Sequence, residues 1–149
     1  MNILDYLIAP DDKDWRKLLS FWVPPLPPHF NIWLVNRLGE VFAIAPDRSV
    51  LYLDVGMGKC ATLASDQTQF AKLLDTGNNA ERFLRISLVD ECRKAGLMLK
   101  PFECYGFKLP PTLGGRYEVA NLIPTNLLVH YSYQAYICKQ EEIYWIPPS

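Results

Sequence analysis

The chain has 149 residues, the size of one ordinary domain and enough to bury a substantial core. Half of the residues are hydrophobic and 21% are charged, a composition typical of globular rather than disordered proteins. The formal net charge of −1 offers no basic excess for a phosphate backbone, so we expect no direct contact with nucleic acid. No apolar run approaches the ~20 residues that a membrane-spanning helix needs, and we expect one soluble domain over residues 1–149 that does not enter a membrane.

The N-terminal 30 residues predict a helical, proline-rich lead-in to a core over residues 31–149. Apolar residues at spacings of three and four within residues 2–22 predict two short helices separated by Pro10, with Asp11 or Asp12 capping the second. Four prolines within residues 23–29 exclude helix and predict an extended, polyproline-like connector. Such a segment is also an SH3-type ligand in principle, but inside a compact domain it is more often a rigid connection.

The next part of the chain predicts a four-stranded antiparallel meander. Short apolar runs are separated by turn sequences that are too short for a crossover; the runs occupy residues 32–35, 41–45, 50–53 and 60–63.

Two helices and several strands are predicted after the meander. Ser65 is the expected N-cap of a helix that ends near Leu74, and a second helix spans about residues 79–95 with Arg85 facing solvent. Short strand or loop segments follow, at residues 104–109, 119–122, 127–132 and 135–139. The order of helices, meander, central helices packed on the sheet and C-terminal strands defines an α+β fold.

Cysteine spacing indicates reduced thiols. The four cysteines, which are Cys60, Cys92, Cys104 and Cys138, contain no CxxC pair, and we expect no secretory leader before them. We therefore expect a cytoplasmic location, although the even number would also allow two disulfides.

Motifs for cofactor or metal chemistry are weak. The sequence Gly56-Met57-Gly58-Lys59 follows a predicted strand but lacks the longer glycine-bounded span and the Ser or Thr of a phosphate-binding loop. His29 and His130 have no second ligand at metal-binding spacing. Asp54 ends a predicted strand, where carboxylates sometimes serve sites, but a turn-capping role explains it better. We expect no cofactor and no metal.

The densest feature is a bend between residues 104 and 122 that contains Pro110-Pro111 and Gly114-Gly115. Prolines fix φ and glycines release it, so this backbone is held in a defined turn that can present Lys108, Arg116 and Tyr117 outward. The alternative is a turn that simply packs over the sheet.

Several segments resemble a bacterial domain family that includes the C-terminal domain of immunity proteins paired with type VI secretion DNase toxins. The resemblance lies most of all in the bend from Cys104 to Gly115, with Asn121 and Val129-His130; it extends to Gly39-Glu40-Val41-Phe42, Val50-Leu51-Tyr52-Leu53-Asp54 and Phe70-Ala71-Lys72-Leu73-Leu74. It implies an α+β domain in the style of the SUKH immunity folds, without enzymatic activity, that masks a toxin. The implied partner is a protein, with a cognate toxin nuclease as the candidate.

We therefore expect a non-catalytic protein-binding domain. Aromatic residues and arginine dominate interface energies, and the candidate contact residues are Phe107, Lys108, Arg116, Tyr117 and His130. Two alternatives remain open. A small hydrolase would use Cys104 as nucleophile and His130 as base, provided that the fold brings them together. A self-associating structural domain would use an edge strand at residues 135–139 as a homodimer contact.

Overall fold

The computed structural model describes residues 2–140. Short helical turns open the chain, as predicted: helix α1, Trp15–Leu18, lies between the 3-10 helices Ile3–Tyr6 and Ser20–Trp22. The cap of α1 is Asp14 rather than Asp11 or Asp12, since the Asp14 carboxylate accepts from the Lys17 N–H group.

The proline-rich segment turns instead of extending. The Leu26 N–H group donates to the carbonyl of Trp22 at 2.8 Å, and residues 23–25 form a turn. Both Trp22 and Leu26 are buried, so the turn is held by the side chains at its two ends. The prediction of a polyproline-like connector is wrong here because burial of these two side chains decides the path of the backbone.

The predicted meander is confirmed. Strands β1 (Asn31–Val35), β2 (Val41–Ile44), β3 (Val50–Asp54) and β4 (Lys59–Ala64) form an antiparallel sheet in chain order. The register of β1 on β2 shifts between Ile32 and Leu34.

Three helices follow the sheet. Helix α2, Gln67–Leu74, begins at Asp66, whose carboxylate accepts from the Gln69 N–H group; the prediction of Ser65 as cap is one residue early. The predicted helix over 79–95 is two helices, α3 (Asn79–Leu84) and α4 (Ile86–Lys94). Arg85 separates them with a left-handed φ of 55°, which no continuing helix allows.

The C-terminal part corrects the prediction of strands. Strands β5 (Glu103–Phe107) and β6 (Leu122–Asn126) pair as a separate two-stranded sheet, after which helix α5 spans Leu127–Gln140. The alternation predicted for residues 127–132 fails because burial follows a helical period instead, recurring at Leu127, Tyr131, Ala135 and Cys138. Residues 135–139 are therefore not an edge strand, so the strand that the homodimer alternative would use is absent at this position.

Both faces of the meander are covered. One face packs against α5 and the N-terminal turns, in a cluster that includes Trp22, Val41 and Tyr131. The opposite face packs against α2 and α3 through Phe42, Phe70 and Phe83. The fold is therefore α+β, as predicted. The four cysteines are free thiols, and none of the helices within residues 2–140 has the length and apolar character needed to cross a membrane.

Candidate partner-binding site

Residues 107–117, called the bend from here on, follow the end of β5 and are held closed by the Asn121 side chain. The Leu109 N–H group donates to Asn121 Oδ1 at 2.9 Å, and Asn121 Nδ2 donates to the carbonyls of Leu109 at 2.9 Å and Arg116 at 3.0 Å. A Cβ atom on Gly115 would lie 1.7 Å from the Leu109 carbonyl oxygen, so only glycine allows this closure. The bend is thus a tied loop whose shape exists before any partner arrives.

The tip of the bend combines apolar and basic side chains in solvent. Leu109 and Leu113 are 46% and 44% exposed, and Lys108 and Arg116 lie exposed beside them in sequence. These four residues are named the bend tip below. The outward positions expected for Lys108 and Arg116 are found, and the two leucines are contact candidates that the sequence reasoning did not include.

The other three candidate residues point into the molecule. Phe107 and His130 are buried, with their ring centroids 6.0 Å apart, and Phe107 meets Tyr117 edge-on at 5.2 Å. Tyr117 is half-buried, and a Cβ on Gly56 would lie only 2.7 Å from its hydroxyl oxygen. These rings pack beneath the bend, and Phe107 and His130 are too deeply buried to form part of the protein surface.

The Cys104–His130 pair needed by the hydrolase alternative lies deep in the core. A Cβ on Gly39 would lie 3.2 Å from His130 Cδ2 and 3.4 Å from Cys104 Sγ, so the fold brings both side chains to one place. Burial raises the pKa of the Cys104 thiol far above its usual range and lowers the pKa of His130 to about 4. Both groups are neutral at pH 7, and neither is accessible to a substrate, which does not favour thiol catalysis.

A partly buried ion pair that the sequence reasoning missed lies below the bend. Arg85 donates to both carboxylate oxygens of Glu40, from Nε at 3.0 Å and from Nη2 at 2.8 Å. The Glu40 side chain is 2% exposed and also accepts from Asn36 Nδ2 at 2.7 Å. The Arg85 guanidinium lies 4.4 Å from the ring centroid of Tyr117. This chain of contacts joins the β1–β2 turn to the bend through the break between α3 and α4.

The expectation that Arg85 faces solvent is therefore wrong. The sequence around Arg85 predicts that it lies on the solvent-exposed face of a continuous helix. In the structure its left-handed backbone conformation directs the side chain toward Glu40. A glutamate directly after Gly39 in a short turn is normally a solvent residue, so local sequence gave no signal for this pair. Bidentate pairing of this kind is strong and geometrically specific.

Asp54 lies at the end of β3 and caps the following turn, as predicted, by accepting from the Met57 N–H group at 3.1 Å. Burial, and next the negative charge of Glu40, raise the pKa of Asp54 to about 6. Among residues 2–140 no cluster of three or more His, Cys, Asp or Glu side chains has the arrangement of a metal site.

These observations define an α+β domain with a tied, basic and apolar bend. The family model described as "T6SS immunity protein Tdi1, C-terminal" matches residues 64–135, the segment from the end of β4 into α5 that contains the whole bend. This segment thus matches a type VI secretion immunity-protein domain family, and the family resemblance predicted from the sequence is confirmed. No curated protein matches the sequence of the chain.

Proposed function

We propose that this protein is a non-catalytic immunity protein of the cytoplasm that binds a cognate toxin and masks its active site with the bend tip. The observation that carries the proposal is the family match over residues 64–135, which includes the bend. Immunity proteins of this class act against toxins delivered by type VI secretion, and the role requires a surface that is ready to bind.

The bend tip meets the requirements of such a surface. Lys108 and Arg116 place two positive charges beside two exposed leucines, and apolar contact beside arginine is typical of strong interface positions. The hydrogen bonds of Asn121 hold the loop before binding, so less conformational entropy is lost when the partner is bound.

A nuclease is the partner that suits this charge. Nucleases that use Mg²⁺ hold the ion with carboxylates, and an acidic active site attracts a basic loop. Electrostatic attraction of this kind raises the association rate and is weakened by salt. Coverage of the acidic site by Lys108 and Arg116 would exclude the nucleic acid substrate without any chemical step.

The test is affinity capture from the native host, followed by a toxicity assay. The purified protein is the bait, and each captured protein is expressed in a heterologous bacterium with and without the bait. We expect a captured protein that stops growth when expressed alone and is harmless when co-expressed. No toxic partner, or a toxin that is not neutralised, would contradict the proposal.

Matched variants locate the surface. Lys108→Ala/Arg116→Ala removes two exposed charges from the bend tip, while Lys72→Ala/Lys94→Ala removes two exposed charges from α2 and α4. We expect only the first double variant to lose neutralisation, with a fall in affinity on the order of 10- to 100-fold. Equal neutralisation by both would exclude the bend tip as the masking surface.

A further inference from the structure

A groove runs along the outer edge of β1, between this strand and residues 7–16. Two cavities follow each other there: one of about 590 Å³ beside the C-terminal half of β1, and one of about 370 Å³ beside its N-terminal residues. Pro10 and Lys13 line both cavities, so they form one continuous groove, named the β1 groove below. Five residues of strand span roughly 17 Å, which suits an extended chain better than a compact ligand.

The edge of the sheet is open along most of this groove. β1 is the outermost strand and pairs with β2 alone within the sheet. In the described part of the chain its outer side is met at the C-terminal end only, by the bridge between Leu7 and Asn36 and by the Ile8 N–H group donating to Val35 O. An open strand edge can pair with another extended segment through backbone hydrogen bonds.

The charges of the larger cavity are unbalanced. Its walls are mainly apolar, and its charged side chains are Lys13, Arg37 and Lys100 against Glu103 alone. The Glu103 carboxylate already accepts from the Lys100 N–H group at 2.9 Å. This end of the groove therefore has an excess of positive charge.

Arg37 is incompletely paired within the described residues, since its Nη2 donates to the Leu4 carbonyl at 3.3 Å but its Nε makes no hydrogen bond. Within residues 2–140 no carboxylate lies at ion-pair distance from its guanidinium, and its buried Nε atom has no hydrogen-bond partner there. Burial, and next the positive charge of Arg93, lower the pKa of Arg37. A carboxylate in the groove would satisfy the Nε donor and offset the repulsion between the two arginines.

We propose that the β1 groove binds an extended segment of the toxin, in which apolar side chains enter the cavity and a carboxylate pairs with Arg37. This inference rests on the proposed function and assigns a second contact surface, separate from the bend tip. The segment lies beside β1 as an additional strand.

A peptide titration tests the chemistry without knowledge of the toxin. The probes are a hexapeptide of alternating valine and glutamate that is acetylated and amidated at its ends, the same peptide with lysine for glutamate, and sodium laurate. Amide NMR spectra of the whole protein report binding even at millimolar affinity. We expect the glutamate peptide to shift the amides of residues 31–35, with little effect of the lysine peptide. Equal binding of both peptides, or binding of laurate alone, would overturn the proposal, the latter by making the groove a small-ligand site.

Variants keep the test decisive if one of them unfolds. Arg37→Gln should lower the affinity for the glutamate peptide about tenfold. Lys100→Glu changes an exposed side chain and should weaken binding of this peptide severalfold, whereas Lys72→Gln on α2 should leave the affinity unchanged. If Lys100→Glu binds the glutamate peptide as tightly as the unaltered protein, the assigned role of the positive charge is wrong.

The captured toxin separates this inference from the proposed function. If the toxin binds and is neutralised while Arg37→Gln has no effect and the amides of β1 stay unprotected from hydrogen exchange in the complex, the groove assignment fails and the immunity function stands. If no toxin is captured, the immunity function fails, and the peptide titration still decides whether the groove accepts an acidic strand.

Discussion

Replacement of Asp54 by asparagine should stabilise the protein at neutral pH. Burial and the neighbouring Glu40 disfavour the charged carboxylate of Asp54 and raise its pKa to about 6. Asparagine retains an oxygen that can accept from the Met57 N–H group, so the turn cap is kept while the charge is removed.

The size of the effect follows from proton linkage. The pKa of an aspartate in the unfolded chain is about 3.9. Between pH ~4 and pH ~6 the folded state binds a proton that the unfolded state has released, so stability falls as the pH rises through this window. The difference between the two pKa values corresponds to about 3 kcal/mol, at 1.36 kcal/mol per pH unit. We therefore expect Asp54→Asn to match the unaltered protein at pH 4 and to be more stable by roughly 2–3 kcal/mol at pH 7.5.

Urea unfolding followed by tryptophan fluorescence at pH 4, 5, 6 and 7.5 measures this difference. His130 has the opposite dependence, because its pKa of about 4 in the folded state makes stability rise between pH 4 and ~6.5. That contribution is common to both proteins and cancels in the comparison. Asp47→Asn is the control: hydrogen bonds from Ser49 lower the pKa of this exposed carboxyl, so its replacement should not stabilise the protein at neutral pH. Equal stability of Asp54→Asn and the unaltered protein at pH 7.5 would refute the reasoning.

Three further predictions concern the contacts that hold the bend and the core. Arg85→Met leaves the Glu40 carboxylate buried without its ion-pair partner and should cost about 3–5 kcal/mol in urea unfolding, part of which the double variant with Glu40→Gln should restore. Gly115→Ala places a Cβ against the Leu109 carbonyl and should cost about 1–3 kcal/mol and weaken toxin capture. Removal of residues 1–30 takes away three fully buried side chains of the core, Leu19, Trp22 and Leu26, and exposes the core face that they cover. The lost apolar burial is roughly 5–9 kcal/mol, so the fragment should show no cooperative thermal transition.

Controls for these variants come from positions in open surroundings. Lys72→Met removes an exposed lysine and should change stability by less than about 0.5 kcal/mol. Gly77→Ala meets no atom within 4 Å but has a φ of +55°, so it measures the cost of a left-handed alanine without a clash. A Gly115→Ala cost no larger than that of Gly77→Ala would contradict the steric argument, and independent loss from Glu40→Gln and Arg85→Met would contradict the pairing argument.

The four-stranded sheet was predictable because the sequence signals for its strands and turns are local. Each strand of the meander is a short apolar run bounded by turn residues, and neighbours in sequence are neighbours in space. The helix α5 was not predictable in the same way, since its aromatic and β-branched residues favour strand locally. Its helical state depends on burial of Tyr131 and Cys138 against the N-terminal turns, which is a property of the whole fold.

In the candidate site, too, the features set by local sequence were predictable and those set by tertiary packing were not. The bend was found because prolines and glycines constrain the backbone whatever surrounds them, and Lys108 and Arg116 lie exposed as the sequence suggested. The inward positions of Phe107 and His130 depend on the packing of α5, which the prediction had as strands. The partner of Arg85 lies 45 residues away in sequence, so no periodicity within a helix could reveal it.

The segment that matches the immunity family closes the bend through Asn121, but some of the contacts that position the bend lie outside this segment. Tyr117 in the bend lies against Arg85, and Arg85 is fixed by Glu40 in the β1–β2 turn, which is outside residues 64–135. The meander therefore contributes to the position of the bend, together with Asn121 and Phe107 of the matched segment. Since a binding surface that is ordered in advance loses less entropy on association, the Glu40–Arg85 pair should influence toxin affinity although neither side chain belongs to the bend tip. A variant that breaks the pair but remains folded should bind the toxin less tightly. The salt dependence of binding, which we assign to Lys108 and Arg116, should stay unchanged.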